Sequence, residues 1–256
     1  MLGVAWDGAG WGPDGTIWGG EFLLADERGF KRVAHLRSFR LPGGEQAVGE
    51  PRRSALGLLH AAFGSEALAH LRSTPLASSF SPAELAILTR MLEQNTNSPE
   101  TTSIGRLFDG IAALLGLRAK NQFEGQAAMD LEFAAAQDSP TDNYDLLFRS
   151  DGILDWQPLV EGVLVDLRNH LPVSQIAAKF HHALVAGIVA VASRVGQRRV
   201  ILTGGCFQNA YLLTQSVNAL RQAGLEPYWH RRVPPNDGGI ALGQLVAAAA
   251  TLSSEK

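Results

Sequence analysis

Three glycine-rich segments of this chain carry a carboxylate or an amide where an apolar run stops: Asp7-Gly8-Ala9-Gly10, Thr203-Gly204-Gly205-Cys206-Phe207-Gln208-Asn209 and Pro234-Pro235-Asn236-Asp237-Gly238-Gly239. Glycine lets the backbone approach a ligand and turn its N–H groups outward, so segments of this kind at strand ends and helix starts can cradle phosphate. Three of them framed alike point to one nucleotide site. In the first, Asp7 can hold a metal ion or its water shell while Gly8 and Gly10 leave room for phosphate oxygens. The same residues also make an ordinary turn, and Gly12, Asp14 and Gly15 fit either reading. In the second, Gly204 and Gly205 can pass a phosphate or adenosine at a helix start, and Asn209 can bond a ribose or cap the helix. In the third, Asp237 is either a helix cap or a contact to a metal or phosphate-bound water.

Other chemistry-bearing residues read more plainly. Cys206 has no neighbouring His or Lys in sequence to lower its pKa and is read as a small hydrophobe rather than a nucleophile. His181 and His182 are adjacent on a predicted helix, about 100° apart, and do not face one ligand. They are expected at or near the surface. The chain has no Gly-x-x-x-x-Gly-Lys-Ser/Thr loop and no His-Glu-x-x-His zinc motif.

The elements that must position these segments follow from periodicity and punctuation. Residues 2–6 read as a strand ending at Asp7, Thr16–Leu24 as a second, and 32–39 as a third before the Leu41-Pro42-Gly43-Gly44 turn. A helical middle follows. Ser81-Pro82-Ala83-Glu84 is a capping box with Pro at the first helical position, opening a helix to about Asn95. Ser103 caps a second helix that runs to Gly116, amphipathic and half buried. Residues 138–143 are turn-rich, and the runs 144–148 and 153–156 flank Ser150-Asp151-Gly152 as a hairpin. Helices over Pro158–His170 and Ser174–Val195 then lead into strand Arg199–Thr203, helix Ala210–Ala223, strand Leu225–His230 and helix Ile240–Leu252. That alternation implies an α/β sheet with its ligand at the strand C-terminal ends.

With 256 residues, 46% of them hydrophobic, the chain can bury a large core as one domain or two lobes. A net charge of −3 gives no global footprint for nucleic acid. A single Cys excludes an intrachain disulfide framework and suits a reducing compartment, so a cytoplasmic location is expected. The N-terminus has no basic segment followed by an apolar one. The apolar runs Leu184–Ala192 and Leu245–Ala250 are too short to span a bilayer, so no membrane role is expected.

The start Val4-Ala5-Trp6-Asp7-Gly8-Ala9-Gly10, then Gly15–Phe22, Phe39–Gly44, Gly105-Arg106-Leu107-Phe108-Asp109, Phe123–Met129, Gly204–Asn209 and His230–Gly239 together resemble the C-terminal part of the HypF carbamoyltransferases, which mature nickel-iron hydrogenases. The resemblance is ordered and spans nearly the whole chain. It implies an α/β lobe of the actin-like, RNase-H-type (ASKHA) class, a mixed sheet flanked by helices, related to enzymes that attach threonylcarbamoyl groups to tRNA. By that resemblance residues 1–256 are the second lobe. The first lobe with its His cluster and the YrdC-like, zinc-finger and acylphosphatase-like domains are expected elsewhere, on a longer chain or another subunit. The resemblance places Asp7, Gly8 and Gly10 in a phosphate loop, and Gly204 and Gly205 on the nucleotide floor. It places Asp109, Gly125 and Asn209 at the nucleotide's sugar or base, Met129 in the base pocket, and Asp237 on a divalent metal (Mg, Zn or Fe). It implies ATP or carbamoyl-adenylate as ligand and the C-terminal Cys of a HypE-type protein as acceptor. Ala9, Trp11 and Cys206 depart from the Thr, Tyr and Val that the family pattern leads one to expect. The competing readings are a non-catalytic nucleotide-binding or docking half-domain, and another ATP-hydrolysing protein of the same fold.

Overall fold

The computed structural model describes residues 1–26, 29–138 and 142–254, with side chains to residue 249. Its spine is a mixed sheet built around the first strand. Strand β1 (Leu2–Trp11) pairs antiparallel with β2 (Ile17–Asp26), which pairs antiparallel with β3 (Gly29–Leu36). Leu2, Val4 and Trp6 alternate inward and are fully buried, as a period of two requires when one face meets the core. The third strand expected over 32–39 is two strands, because the chain leaves the sheet after Leu36 and returns as β4 (Phe39–Arg40).

The connection to the next strands is helical: α1 (Gln46–Gly49), α2 (Pro51–Phe63), α3 (Ala67–Arg72) and α4 (Pro82–Glu93). Ser81 caps α4 by accepting from the Glu84 amide at 3.2 Å, as the capping box predicts. Arg52, at the start of α2, pairs at 2.6 Å with both Glu50 and Glu84 and so ties α2 to α4. Strand β5 (Glu100–Thr101) pairs with β4 and touches β2 at Ile17. Helix α5 (Ile104–Leu114) follows, capped by Ser103, and then α6 (Gln126–Ala135). All eleven residues of α5 are buried, Arg106 and Asp109 included, which corrects the half-buried reading. It lies between α2, α6 and β1, so no side of it meets water.

Hairpin β6 (Leu147–Phe148) and β7 (Ile153–Asp155) form as expected and extend the sheet beyond β3. Residues 139–141 of the expected turn lie outside the described residues. Helices α7 (Gln157–Arg168) and α8 (Val173–Val195) lead to β8 (Arg199–Thr203), α9 (Ala210–Gln222), β9 (Glu226–Trp229) and α10 (Ile240–Ser254). Strand β8 joins β1 in parallel, Leu2 opposite Val200, and β9 joins β8. The sheet order is thus β6-β7-β3-β2-β1-β8-β9, with β1 at the point where antiparallel pairing gives way to parallel. By length and composition the 23 residues of α8 could cross a membrane, contrary to the sequence reading, but 67% of its most apolar window is buried inside this fold. It is the core helix that carries Phe180, Leu184 and Ile188. Helix α10 is different: Ile240, Leu242, Leu245 and Val246 are all more than half exposed.

Strand β1 does not end at Asp7. Trp6 stands opposite Gly20 and Gly10 opposite Trp18, so Asp7, Gly8 and Ala9 face Gly19 alone and bulge out of the ladder. Close behind them, Gly204 follows the end of β8 at φ +100°, where an added Cβ would lie 2.1 Å from the Trp6 carbonyl oxygen. Replacing Gly204 by Ala is expected to remove about 2 kcal/mol or more of stability in urea unfolding. Gly224→Ala, at φ +75° in open space, should lose only about 1 kcal/mol.

Candidate functional site

The three glycine-rich segments meet at one cavity of about 590 Å³. Asp7 and Gly8 of the bulge form its floor. Ser103 fixes them: its hydroxyl donates toward the carbonyls of Asp7 and Gly8, at 2.9 and 2.7 Å, and accepts from the Arg106 amide at 3.1 Å. The first turn of α5 therefore sits directly on the bulge, so close that a Cβ on Gly105 would be 2.7 Å from Gly8 Cα. From α5, Arg106, Phe108 and Asp109 form the back wall. Gly125, the N-cap of α6, and Ala128, Met129 and Glu132 within it line the cavity at a spacing that puts them on one helical face. Gly205, Cys206, Gln208 and Asn209 close the side opposite, and Asn236 and Asp237 the rim.

Hydrogen bonds hold these segments to one another. The Gly204 amide donates to the Pro235 carbonyl at 3.0 Å, joining the second glycine segment to the third. Glu132 accepts from the Ala210 amide at 2.7 Å, placing an α6 carboxylate at the N-terminus of α9, where the helix dipole favours it. Of the residues singled out from the sequence, Asp7, Gly8, Asp109, Gly125, Met129, Gly205, Asn209 and Asp237 all line the cavity. Gly10 does not: it pairs with Trp18 in the β1–β2 ladder. Gly204 lies beneath the lining, against Trp6.

The back wall is electrostatically unusual. Arg106 Nη2 lies 2.9 Å from Asp109 Oδ2, and both side chains are nearly inaccessible to solvent. The pair is poorly satisfied: beyond that ion pair, both Asp109 oxygens, and Nε and Nη1 of Arg106, have no hydrogen-bond partner among the described residues. Burial pushes the Asp109 carboxyl up to about 7, against the lowering effect of Arg106. Asp7 is also raised, chiefly by burial, although the Gly8 and Gly205 amides donate to it and Asp237 and Glu124 add repulsion. Five carboxylates (Asp7, Asp109, Glu124, Glu132 and Asp237) thus line the cavity against one guanidinium. Burial likewise pushes the Cys206 thiol well up, so it is no ready nucleophile.

Asn209 both caps α9, accepting from the Leu212 amide at 2.7 Å, and reaches His181 at 3.0 Å. Its capping role and its place in the cavity are compatible. His181 is fully buried, correcting its expected place near the surface, while His182 is half-buried beside Tyr211. Sequence reasoning also passed over Arg106, Glu124 and Glu132 as cavity residues. Arg106 falls inside the Gly105–Asp109 motif and Glu124 inside the Phe123–Met129 motif, both already noted; for Glu132 the i, i+3, i+4, i+7 spacing with Gly125, Ala128 and Met129 is the available signal. Among the described residues no group of three His, Cys, Asp or Glu side chains is placed to hold a metal ion. Asp7 and Asp237 do not make such a site on their own.

The family described as Carbamoyltransferase, Kae1-like Domain, second subdomain, matches residues 3–244. The chain belongs to that family. Carbamoyltransferase HypF of a Synechocystis species is 41% identical over 96% of this chain and 34% of its own length. That of Rhodobacter capsulatus is 41% identical over 98% of this chain and 32% of its own. The chain therefore spans about a third of the length of these curated relatives. A crystal structure of full-length HypF in the phosphate- and nucleotide-bound form superposes with a TM-score of 0.88 at 35% identity, covering 97% of this chain and 39% of that one. The α/β architecture is thus the Kae1-like, actin-like lobe of HypF proteins.

The Asp109 carboxyl sets a pH signature. Its unfolded form loses a proton near pH 3.8, and its folded form keeps it to about 7. Between those values the native state binds more protons, so this group's contribution to stability falls as pH rises. Urea midpoints of Asp109→Asn measured against the unsubstituted chain should therefore shift in the variant's favour from about pH 4.5 to about 7.5, by on the order of 3 kcal/mol.

Proposed function

We propose that this lobe holds the nucleoside end of carbamoyl-adenylate or ATP in a carbamoyltransferase whose site is completed by a second lobe. The observation that carries the reading is the set of fixed polar groups in one cavity. Among the described residues Asp109 accepts no hydrogen bond, its Oδ2 meeting only the Arg106 guanidinium, Asn209 is held by a cap bond and a histidine, and Met129 and Ala128 supply an apolar wall. Unpartnered acceptors beside an apolar face suit ribose hydroxyls and a base, each buried oxygen gaining the donor it lacks. Nucleotide binding in the related full-length HypF structure supports the same assignment.

The charge balance refines it. Five carboxylates facing one guanidinium make this lobe a poor host for a bare triphosphate. The phosphate loop then rests on Asp7 and Gly8 and depends on a counter-charge from the other lobe or from a cation carried by the nucleotide. Asp237 is the metal ligand implied by the family resemblance. Among the described residues it has no companion set, so no step is routed through a metal.

Carbamoyl-adenylate is a mixed anhydride with an activated carbonyl. In the proposed transfer a cysteine thiolate at the C-terminus of a HypE-type partner attacks the carbonyl carbon. A C–S bond forms, the C–O bond to phosphate breaks, and AMP leaves with the electron pair. By family resemblance, the S-carbamoyl group is later dehydrated to give the hydrogenase cyanide ligand. The enzyme needs no nucleophile of its own; its contribution is to orient the adenylate and exclude water. The exposed apolar side chains of α10 favour a second reading, a docking half-domain that binds nucleotide only with its partner lobe.

Calorimetric titration with adenosine, ATP with and without Mg²⁺, and a non-hydrolysable carbamoyl-adenylate mimic tests both readings. The first expects adenosine to bind the chain alone, ATP to require Mg²⁺, and Asp109→Ala to weaken binding about 10- to 100-fold. Asp237→Ala should weaken only the Mg²⁺-dependent part. Binding that appears only when a HypF upstream lobe is added establishes the second reading. No binding in either format overturns the nucleotide assignment.

A further inference from the structure

His181 has no assigned role, yet it is completely buried and makes two side-chain hydrogen bonds whose directions can be solved. Its Nδ1 lies 2.7 Å from the Ala177 carbonyl. A carbonyl only accepts, so Nδ1 carries the hydrogen. From the other end, the Leu212 amide only donates, so the Asn209 atom 2.7 Å from it is the oxygen. The Asn209 nitrogen must then face His181 Nε2, 3.0 Å away, and donate to it. Nε2 therefore holds a lone pair, the state that hydrogen on Nδ1 leaves in a neutral ring. The two derivations start from different residues and agree.

We propose that His181 is a positioning residue: it fixes the Asn209 amide in one sense, so that the second N–H of Asn209 is offered to the cavity as a donor for an acceptor on the nucleotide's base or ribose. The ligand class rests on the functional reading above; the fixing of the amide does not. Without a partner at Nε2 the amide would be held at one atom only. The ring cannot swing away, because Phe108, Phe180 and Tyr211 meet it edge to face at 5.3, 5.5 and 5.3 Å. Burial also lowers its pKa to about 4, which keeps Nε2 an acceptor at neutral pH. Asn209 belongs to the cavity lining, and its bonds to His181 and Leu212 use one of its two N–H groups and one lone pair. An amide fixed this way discriminates: a ligand atom that accepts is welcomed and one that donates is not.

Two measurements on the 256-residue chain decide it. The first is a long-range ¹H–¹⁵N correlation spectrum of the histidine rings near neutral pH, with His181 assigned by its loss in His181→Gln. The expected result is hydrogen on Nδ1 and none on Nε2, together with an Asn209 side-chain amide protected from exchange that loses protection in His181→Asn. Hydrogen on Nε2, or an unprotected Asn209 amide, overturns the proposal whether or not any nucleotide binds. The second is calorimetry with adenosine and ATP–Mg²⁺. His181→Asn keeps the bond to Ala177 but offers Asn209 no acceptor, and should weaken binding about tenfold. His181→Gln, whose carbonyl can replace Nε2, should recover most of it. In an Asn209→Ala background His181→Asn should have no further effect, whereas a merely structural histidine would give additive losses and equal deficits for Asn and Gln. If neither probe binds, with or without an added upstream lobe, the nucleotide reading fails while the ring and amide spectra still decide the positioning.

Discussion

Backbone packs directly on backbone beneath the cavity. Gly204 lies against the Trp6 carbonyl and Gly105 against Gly8, each too close to admit a Cβ without movement. These contacts bring the end of a parallel strand, the first turn of a buried helix and a bulged antiparallel strand to one point. Ser103, spanning the bulge and the helix, fixes their relative height. Three of the cavity walls are referred to that point: α5 directly, α9 through the turn after β8, and the Asn236–Asp237 rim through the Gly204–Pro235 hydrogen bond.

The same packing explains the charge pattern. A helix enclosed on all sides would ordinarily be apolar throughout, yet α5 carries Arg106 and Asp109 into the interior. Their mutual attraction offsets part of the desolvation penalty, but the geometry leaves their remaining hydrogen-bonding capacity unmet. A protein selected for stability alone gains little from such a pair. A site that must seize a polyol or amide from water gains a strong, directional grip, because the ligand supplies partners that the protein withholds.

Much of this was legible in the sequence, and the failures have specific causes. Ser81, Ser103 and Asn209 announce helix starts through local capping chemistry, which depends on a few neighbouring residues and is therefore written locally. Convergence of the three glycine segments follows from strand–loop–helix order. The bulge does not, because alternation along β1 gives no hint that three residues will face Gly19 alone. Full burial of α5 was not legible because Arg106 and Asp109 interrupt its apolar pattern, and only the packing of α2, α6 and β1 encloses them. His181 was misjudged for a related reason: its partner Asn209 lies 28 positions away on another helix, and no local pattern reveals a hydrogen bond made across such a gap.

The position of β1 between β2 and β8 has a consequence during biosynthesis. Its parallel neighbour begins with the pairing of Leu2 to Val200, so a ribosome working at about 5–20 residues per second exposes the far edge of β1 for roughly 10–40 s before that partner is made. Throughout that interval Leu2, Val4 and Trp6 belong to a strand with an open edge, a template for pairing with other nascent chains. The strand that carries the cavity floor is translated well before the strand that secures it, so its open edge needs shielding from other nascent chains throughout that interval.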